Sequence, residues 1–328
     1  MVSYIDILYI QRYFFGKKIL MIPYDKREGK IWYNNSLENW QDIKLHVLSH
    51  GLHYGSCVFE GLRVYDEEIF KLEEHTDRLF HSAKRMDIKI PYSKDEINNA
   101  SKKIVSVQKV QNGYVRPFVW RGSEMMAVSA QNTKIHVAIA TWEWGTYFDQ
   151  KLKLEGIKLN ISKWKRPAPD TIPWDTKASG LYMICTLSKH EAERQGYSDS
   201  LMLDHQGNVA EATGANIFFK DKNNDLHTPI PDSFLDGITR RTVIEIAKSK
   251  NINVHERKIS PNELSGFEGC FLTGTAAEVT PVSKIADHNY KVCEIILDLS
   301  KSYEKLVRKK KGCLIFIIFR NCVIYPFS

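Results

Sequence analysis

A lysine set among small residues is the first feature of this chain that could do chemistry. It stands in Pro173-Trp174-Asp175-Thr176-Lys177-Ala178-Ser179-Gly180, where a proline-punctuated segment gives way to a helical pattern through Arg194. Withdrawing such an amine from water disfavours its ammonium form and leaves a nucleophile suited to Schiff-base formation. Further on, Asp204-His205-Gln206-Gly207-Asn208 reads as a hairpin turn between two short apolar runs, and Val209-Ala210-Glu211-Ala212-Thr213-Gly214-Ala215-Asn216 follows, with Glu211 a lone acid amid small residues. Singly, Lys177 reads as a helix-entry lysine and Glu211 as a strand-end acid. Together they are an amine for a cofactor aldehyde and a carboxylate that keeps a ring nitrogen protonated, so that the ring serves as an electron sink.

The elements that must position these groups fall into two regions. In the first, Lys30 to Tyr33 and Ile43 to Val47 read as short strands, and Leu72 to Met86 has apolar positions at 72, 76, 79, 80, 83 and 86, the spacing of an amphipathic helix. Ile97, Ala100, Ile104 and Val107 mark a second helix, and Tyr114 to Trp120 and Lys134 to Thr141 read as strands. In the second region a strand at Ile157 to Trp164 feeds the Lys177 segment. A Lys/Asn/Asp-rich turn spans Lys220 to Asp225, a helix opens near Leu235-Asp236-Gly237-Ile238-Thr239-Arg240 and stops before Lys250-Asn251, and Glu294 to Val307 reads as a terminal helix.

Other groups admit two readings each. His46, His50 and His53 could line a helix face and bind metal, but Gly51 and Gly55 argue against a long helix there. Tyr114 and Arg116 alternate onto one side of a strand, as a carboxylate reader or as a half-exposed pair. Trp142, Trp144 and Tyr147 are either core or the wall of a cleft at a domain junction. Arg78 alone is a surface charge. Thr239 is either an N-cap or, with free N–H groups at a helix start, a phosphate ligand. In Phe271-Leu272-Thr273-Gly274-Thr275-Ala276-Ala277-Glu278, the glycine lets backbone N–H groups approach an anion.

Composition excludes several classes. The chain of 328 residues is 43% apolar and 26% charged, enough for a full core in one large or two moderate domains. Its net charge of +7 sits in the ends: residues 1–20 carry +2 and residues 308–328 carry +5, leaving residues 21–307 neutral and without a basic surplus for nucleic acid. Six scattered cysteines with no Cys-x-x-Cys pair indicate neither a zinc site nor a disulfide framework, and fit a reducing cytoplasm. Asp6 and Arg12 spoil Met1 to Leu20 as a signal segment, so Met21 reads as an alternative start. Leu314 to Phe319 is far shorter than the ~20 apolar residues a membrane helix needs.

The segment from Lys177 through Glu211 to Thr275, with His53-Tyr54-Gly55, Phe59-Glu60-Gly61-Leu62-Arg63, Glu74-His75-Thr76-Asp77-Arg78-Leu79 and Tyr114-Val115-Arg116-Pro117, resembles the class IV, fold-type IV aminotransferases, most closely their branched-chain amino acid members. The resemblance covers about Lys30 to Lys310. It implies an α+β fold of two domains: a smaller N-terminal α/β sandwich at 21–141 and a larger C-terminal pseudo-barrel at 152–310, joined by an interdomain loop at 142–151. Residues 1–20 and the apolar tail 311–328 would lie outside that pattern.

The same resemblance implies pyridoxal 5′-phosphate as cofactor. Lys177 would be the catalytic lysine, Glu211 the partner of the ring nitrogen, Tyr182 that of the phenolic oxygen, and Arg78, Ile238, Thr239 and Thr275 the phosphate ligands. Substrate would meet Phe59, Arg63, Tyr114, Arg116, Met126, Val128, Trp144, Tyr147 and Ala276, with Tyr54 reaching across from a partner subunit. Arg116 is the group expected to accommodate the side-chain carboxylate of glutamate. The implied reaction moves an amino group between leucine, isoleucine or valine and 2-oxoglutarate in a cytoplasmic homodimer or hexamer, without metal, membrane or nucleic acid. A D-amino acid aminotransferase or aminodeoxychorismate lyase shares the fold, and a non-catalytic vitamin B6 carrier is the alternative outside enzymes. Asp236 stands where relatives often have proline, which puts an acid near the phosphate.

Overall fold

The structure is a computed structural model that describes residues 22–145 and 150–308. The two terminal extensions expected from the sequence and Tyr147 lie outside the described residues.

Alternating apolar residues build a first, antiparallel sheet from β1 (Lys30–Tyr33), β2 (Ser36–Asn39), β3 (Cys57–Phe59), β4 (Leu62–Tyr65), β5 (Glu68–Ile69), β6 (Gly113–Arg121) and β7 (Ile135–Glu143). Its order is β2-β1-β7-β6-β4-β5, with β3 also paired to β6. One expectation is corrected here: the second strand is Ser36–Asn39 and not Ile43 to Val47. Asn34 and Asn35 both adopt positive φ (44° and 73°), the two-residue turn that matches strand twist, and so Tyr33 pairs directly with Ser36. Helix α1 (His50–Tyr54) is a single short turn of helix that ends where Gly55 takes φ 66°. Helices α2 (Leu72–Arg85) and α3 (Lys94–Gln108) cover the sheet through Leu79, Ile97 and Ile104, which pack with Val58, Val115, Val119 and Ile139. Helix α3 starts at a capping box of Ser93 and Glu96.

The second region carries helices α4 (Gln150–Glu155), α5 (Tyr182–Arg194), α6 (Ile238–Ser249) and α7 (Glu294–Val307). Its strands are β8 (Ile157–Ile161), β9 (Asp199–Leu203), β10 (Val209–Ala212), β11 (Asn216–Lys220), β12 (Leu226–Thr228), β13 (Val254–Glu256), β14 (Gly269–Gly274), β15 (Glu278–Ile285) and β16 (His288–Asn289). They run β10-β9-β8-β15-β14-β11-β12-β13, with β16 on β15. The pairs β8/β9, β8/β15 and β12/β13 are parallel and the rest antiparallel. Strand β8 stops at Ile161, short of the expected Trp164, because Ser162 turns the chain and its hydroxyl accepts from the Trp164 N–H at 2.9 Å.

The two regions share apolar residues. Ala178 and Leu181 pack into the first core, while Tyr65 of β4 packs with Phe218, Val243, Phe271, Leu299 and Tyr303 of the second. That exchange fixes a cleft between the sheets, and the Lys177 segment runs along it. Among the described residues no helix is long and apolar enough to cross a membrane.

Candidate active site

Lys177 is held by its backbone before its side chain does anything. Its N–H donates to Ser82 Oγ of α2 at 3.0 Å, its carbonyl accepts from Phe59 N at 3.1 Å, and Ala178 bridges to Val58 of β3. A single turn over Ser179–Leu181 then delivers Tyr182 at the head of α5, so that Lys177 Nζ donates to Tyr182 Oη at 2.6 Å. Burial in the cleft holds the lysine below its usual pKa; Glu60 opposes that shift, and the Arg78 and Arg116 charges reinforce it.

Glu211 lies at a β-bulge. The β10/β9 register slips between Val209 and Glu211, which re-aims the side chain at that point. Its carboxylate accepts from Asn216 Nδ2 at 3.2 Å and faces Arg166 Nε at 3.5 Å. Burial pushes its pKa up to about 7, against the pull of Arg166 and Lys177.

Arg78 projects from α2, and Glu60 takes two of its N–H groups, Nε at 2.7 Å and Nη2 at 3.0 Å. Glu60 also accepts from or shares a proton with His75 Nδ1 at 2.7 Å, and it is fully buried. Burial alone would raise the Glu60 pKa, but Arg78 and His75 hold the carboxyl well below the usual range. With that edge fixed, Nη1 is left towards the Asp236 carbonyl at 3.5 Å and the cavity. The Asp236 carboxylate itself turns to Arg240 at 3.0 Å and Arg241 at 3.2 Å, so the acid foreseen beside the phosphate is paired with two arginines of the helix that follows it, Ile238–Ser249.

Two backbone features face the same space. Helix α6 begins at Gly237 without any side-chain cap, and Gly237 N donates to Asn216 Oδ1 at 3.1 Å. A Cβ at Gly237 would stand 2.2 Å from that oxygen, so only glycine fits. The β14/β15 hairpin pairs Gly274 with Glu278 and turns through Thr275, Ala276 and Ala277. Thr273 Oγ1, on the same strand, is buried without a protein partner.

These groups line one cavity, which includes Arg78, Tyr114, Lys177, Tyr182, Glu211, Ile238, Thr239, Thr275 and Ala276 among its walls. Beside it, Arg116 Nη2 lies 3.4 Å from Tyr114 Oη, its guanidinium stacks 4.5 Å from the Phe59 ring centre, and Trp144 meets Tyr114 edge-on at 4.7 Å.

Other expected site residues stand apart from this cavity. Arg63 is buried and donates to the Gly145 carbonyl at 2.8 Å, outside the lining. Tyr54, Met126 and Val128 are exposed, and the buried His50 lies beneath: its ring stacks on Tyr54 at 4.5 Å and its Nε2 pairs with the Ala127 carbonyl at 2.8 Å. The three histidines weighed as metal ligands have separate partners, His50 on Ser56, His53 on the Val47 carbonyl and His46 on Leu48 N. Four site residues escaped the sequence reading of roles: Glu60, His75, Arg166 and Asn216. Glu60 and Asn216 were visible beside assigned residues, whereas nothing in the local pattern of Arg166 pointed to Glu211.

This architecture has known counterparts. The family described as amino-transferase class IV matches residues 57–285. The branched-chain-amino-acid aminotransferase of Pseudomonas aeruginosa is 41% identical over 263 residues, covering 79% of this chain and 85% of that protein. Among solved structures, the branched-chain amino acid aminotransferase of Escherichia coli superposes with a TM-score of 0.83 at 33% identity, over 88% of this chain and 98% of that one. The Thermobaculum terrenum enzyme of the same name, solved in its PLP form, gives a TM-score of 0.79 at 27% identity, over 86% of this chain and 95% of that one. The chain belongs to the class IV aminotransferases, and its two-domain α+β fold is theirs.

Proposed function

We infer that this chain is a pyridoxal phosphate-dependent transaminase that moves an amino group reversibly between branched-chain L-amino acids and 2-oxoglutarate. The observation that carries the reading is the convergence of Lys177, Tyr182, Glu211, Arg78 and an uncapped helix start on one cavity. The cavity residues fit that cofactor. Arg78 Nη1, the N–H groups of Ile238 and Thr239 and the Thr275 hydroxyl would hold its phosphate, and the buried Thr273 hydroxyl without a partner marks polar space still to be filled. Lys177 would take its carbonyl, Tyr182 its phenolic oxygen and Glu211 its ring nitrogen.

When bound, the cofactor supplies an aldehyde that condenses with amines and a protonated ring that accepts the electron pair left by the Cα proton. This chain's residues do the rest. Lys177 Nζ, poised below ordinary lysine basicity, carries that proton as general acid and base. Tyr182 Oη fixes where Nζ points. The Glu211 carboxylate, already facing Arg166, would gain in a cationic ring a second partner that favours its ionised form.

Substrate chemistry divides the pocket in the same way. Phe59, Tyr114, Trp144 and Tyr147 would give the apolar slot for a branched side chain, Arg116 the cation for the distal carboxylate of glutamate, and the Ala276 N–H the site for the α-carboxylate. Tyr54, Met126 and Val128 would complete the pocket of a second copy, which makes the working unit at least a dimer, and a hexamer is compatible with that. A cytoplasmic enzyme acting on small amino and oxo acids follows from this reading. Turnover of leucine and of D-alanine with 2-oxoglutarate, measured side by side, tests it: leucine should react and D-alanine should not, and the reverse result would move the chain to the D-specific branch of the fold.

A further inference from the structure

Glu278 has a backbone conformation that its residue type does not favour. The β14/β15 hairpin leaves Thr275, Ala276 and Ala277 as a three-residue loop, and Glu278 closes it at φ 55°, in the left-handed region. Loops of that length usually put glycine there, since a Cβ crowds the neighbouring carbonyl. Something outside the hairpin must hold the glutamate in place.

Both carboxylate oxygens have a partner, and each partner comes from a different element. Oε1 accepts from the Tyr65 hydroxyl of β4 at 2.8 Å, and Oε2 from Lys153 Nζ of α4 at 2.6 Å. Burial alone would raise the Glu278 pKa, but Lys153 and Tyr65 bring it below the usual carboxylate value. Tyr65 is itself fixed: it is 2% exposed, and the Arg63 guanidinium stacks 5.3 Å from its ring centre. The first sheet and the segment after β7 are therefore pinned to one carboxylate at the foot of the loop that carries the Thr275 and Ala276 amides.

We propose that Glu278 is a positioning residue whose two anchors, Tyr65 and Lys153, set the Thr275-Ala276-Ala277 turn so that its backbone N–H groups face the substrate carboxylate. The proposal rests on the function inferred above for the position of that carboxylate. Of the phosphate ligands inferred above only Thr275 lies on this turn; Arg78 and the start of α6 reach the cavity without it and would carry most of the cofactor's hold.

Holoenzyme carrying Glu278→Gly tests the point, since glycine satisfies φ 55° and removes both anchors. Binding of 4-methylpentanoate, a branched carboxylate with no amine to react, is read from the cofactor's absorbance. Its Kd and the KM for leucine and 2-oxoglutarate should each rise about tenfold, with kcat and cofactor retention within about twofold, the pattern of lost uniform binding. Tyr65→Phe and Lys153→Met should move the same quantities by smaller factors, and they carry the test should Glu278→Gly fail to fold. Wild-type carboxylate binding in the variants, or a parallel loss of kcat and cofactor, would overturn the proposal. Amide exchange in the cofactor-free protein keeps it separate from the function: faster exchange at residues 275–277 in Tyr65→Phe and Lys153→Met, which leave the loop's own residues unaltered, supports the anchor even if wild type ignores the carboxylate, and unchanged exchange refutes it.

Discussion

Lys177 and Tyr182 stand on either side of one tight turn, and Nζ of the first lies 2.6 Å from Oη of the second. The backbone of Lys177 is tied to β3 and α2 of the other region, so this hydrogen bond reports the closure of the whole cleft. Lys177→Ala should lose transamination and with it the borohydride-fixed cofactor. Peptide mapping of the reduced wild-type protein should place the label on Lys177, and a label on any other lysine would sink the assignment.

Glu211 makes the cofactor-free protein sensitive to pH. Its folded pKa of about 7 lies above the ordinary 4.5, so the folded state binds the proton more tightly and stability falls as pH rises through that window. The group should therefore withdraw about 3 kcal/mol between pH 4.5 and pH 7 in the apoprotein. Glu211→Gln should remove that slope in urea unfolding, retain cofactor, and reduce turnover by about two orders of magnitude or more. A variant as active as wild type would take Glu211 out of the mechanism.

Local patterns made most of the scaffold legible. Helix α2 followed from its apolar period, α7 was read with the same bounds, and the Asp204 to Asn208 turn lies where its composition put it. What local pattern could not give was pairing at a distance. Two asparagines at positive φ put β2 at Ser36–Asn39 rather than near Val47. Arg166 reaches Glu211, Glu60 reaches Arg78 and Tyr65 reaches Glu278 across sequence gaps that no periodicity spans. The sequence singled out Arg78 only through resemblance, since nothing near it says that its guanidinium is buried against a carboxylate.

That buried pair yields its own test. Glu60 holds the Nε and Nη2 edge of Arg78, and removing one member leaves a charge unpaired in the interior. Glu60→Gln should lower stability by about 3 kcal/mol and loosen cofactor retention, as Arg78→Ala should loosen it. Because the folded pKa of Glu60 is depressed, its contribution is complete above the ordinary value of 4.5 and is lost as pH falls below it. Unfolding curves of wild type and variant should converge in acid, and curves that stay parallel would contradict the pairing.

Arg116 should divide the two substrate classes. Its guanidinium lies against Phe59 and Tyr114 beside the cavity, and on the proposed reading a leucine side chain there needs no charge whereas that of glutamate does. Arg116→Met should raise the KM for glutamate and 2-oxoglutarate by about 10- to 100-fold, the worth of one charge-assisted hydrogen bond, and that for leucine far less. An equal loss for both would assign Arg116 to structure.

Tyr54 is the one aromatic of the proposed substrate set that stands exposed on its own protomer among the described residues, 48% accessible and stacked on His50. If it closes the cavity of a second copy, Tyr54→Ala and Lys177→Ala damage different sites of a mixed dimer. One site then carries both lesions and the other carries neither. Mixing the two inactive variants under exchange conditions should restore about a quarter of wild-type leucine turnover, since half the dimers are mixed and each has one intact site. Sedimentation of each variant alone should still give a dimer. If the mixture stays as inactive as its parents while subunits demonstrably exchange, Tyr54 serves its own chain and the apolar surface it shares with Met126 and Val128 does not complete a neighbouring site.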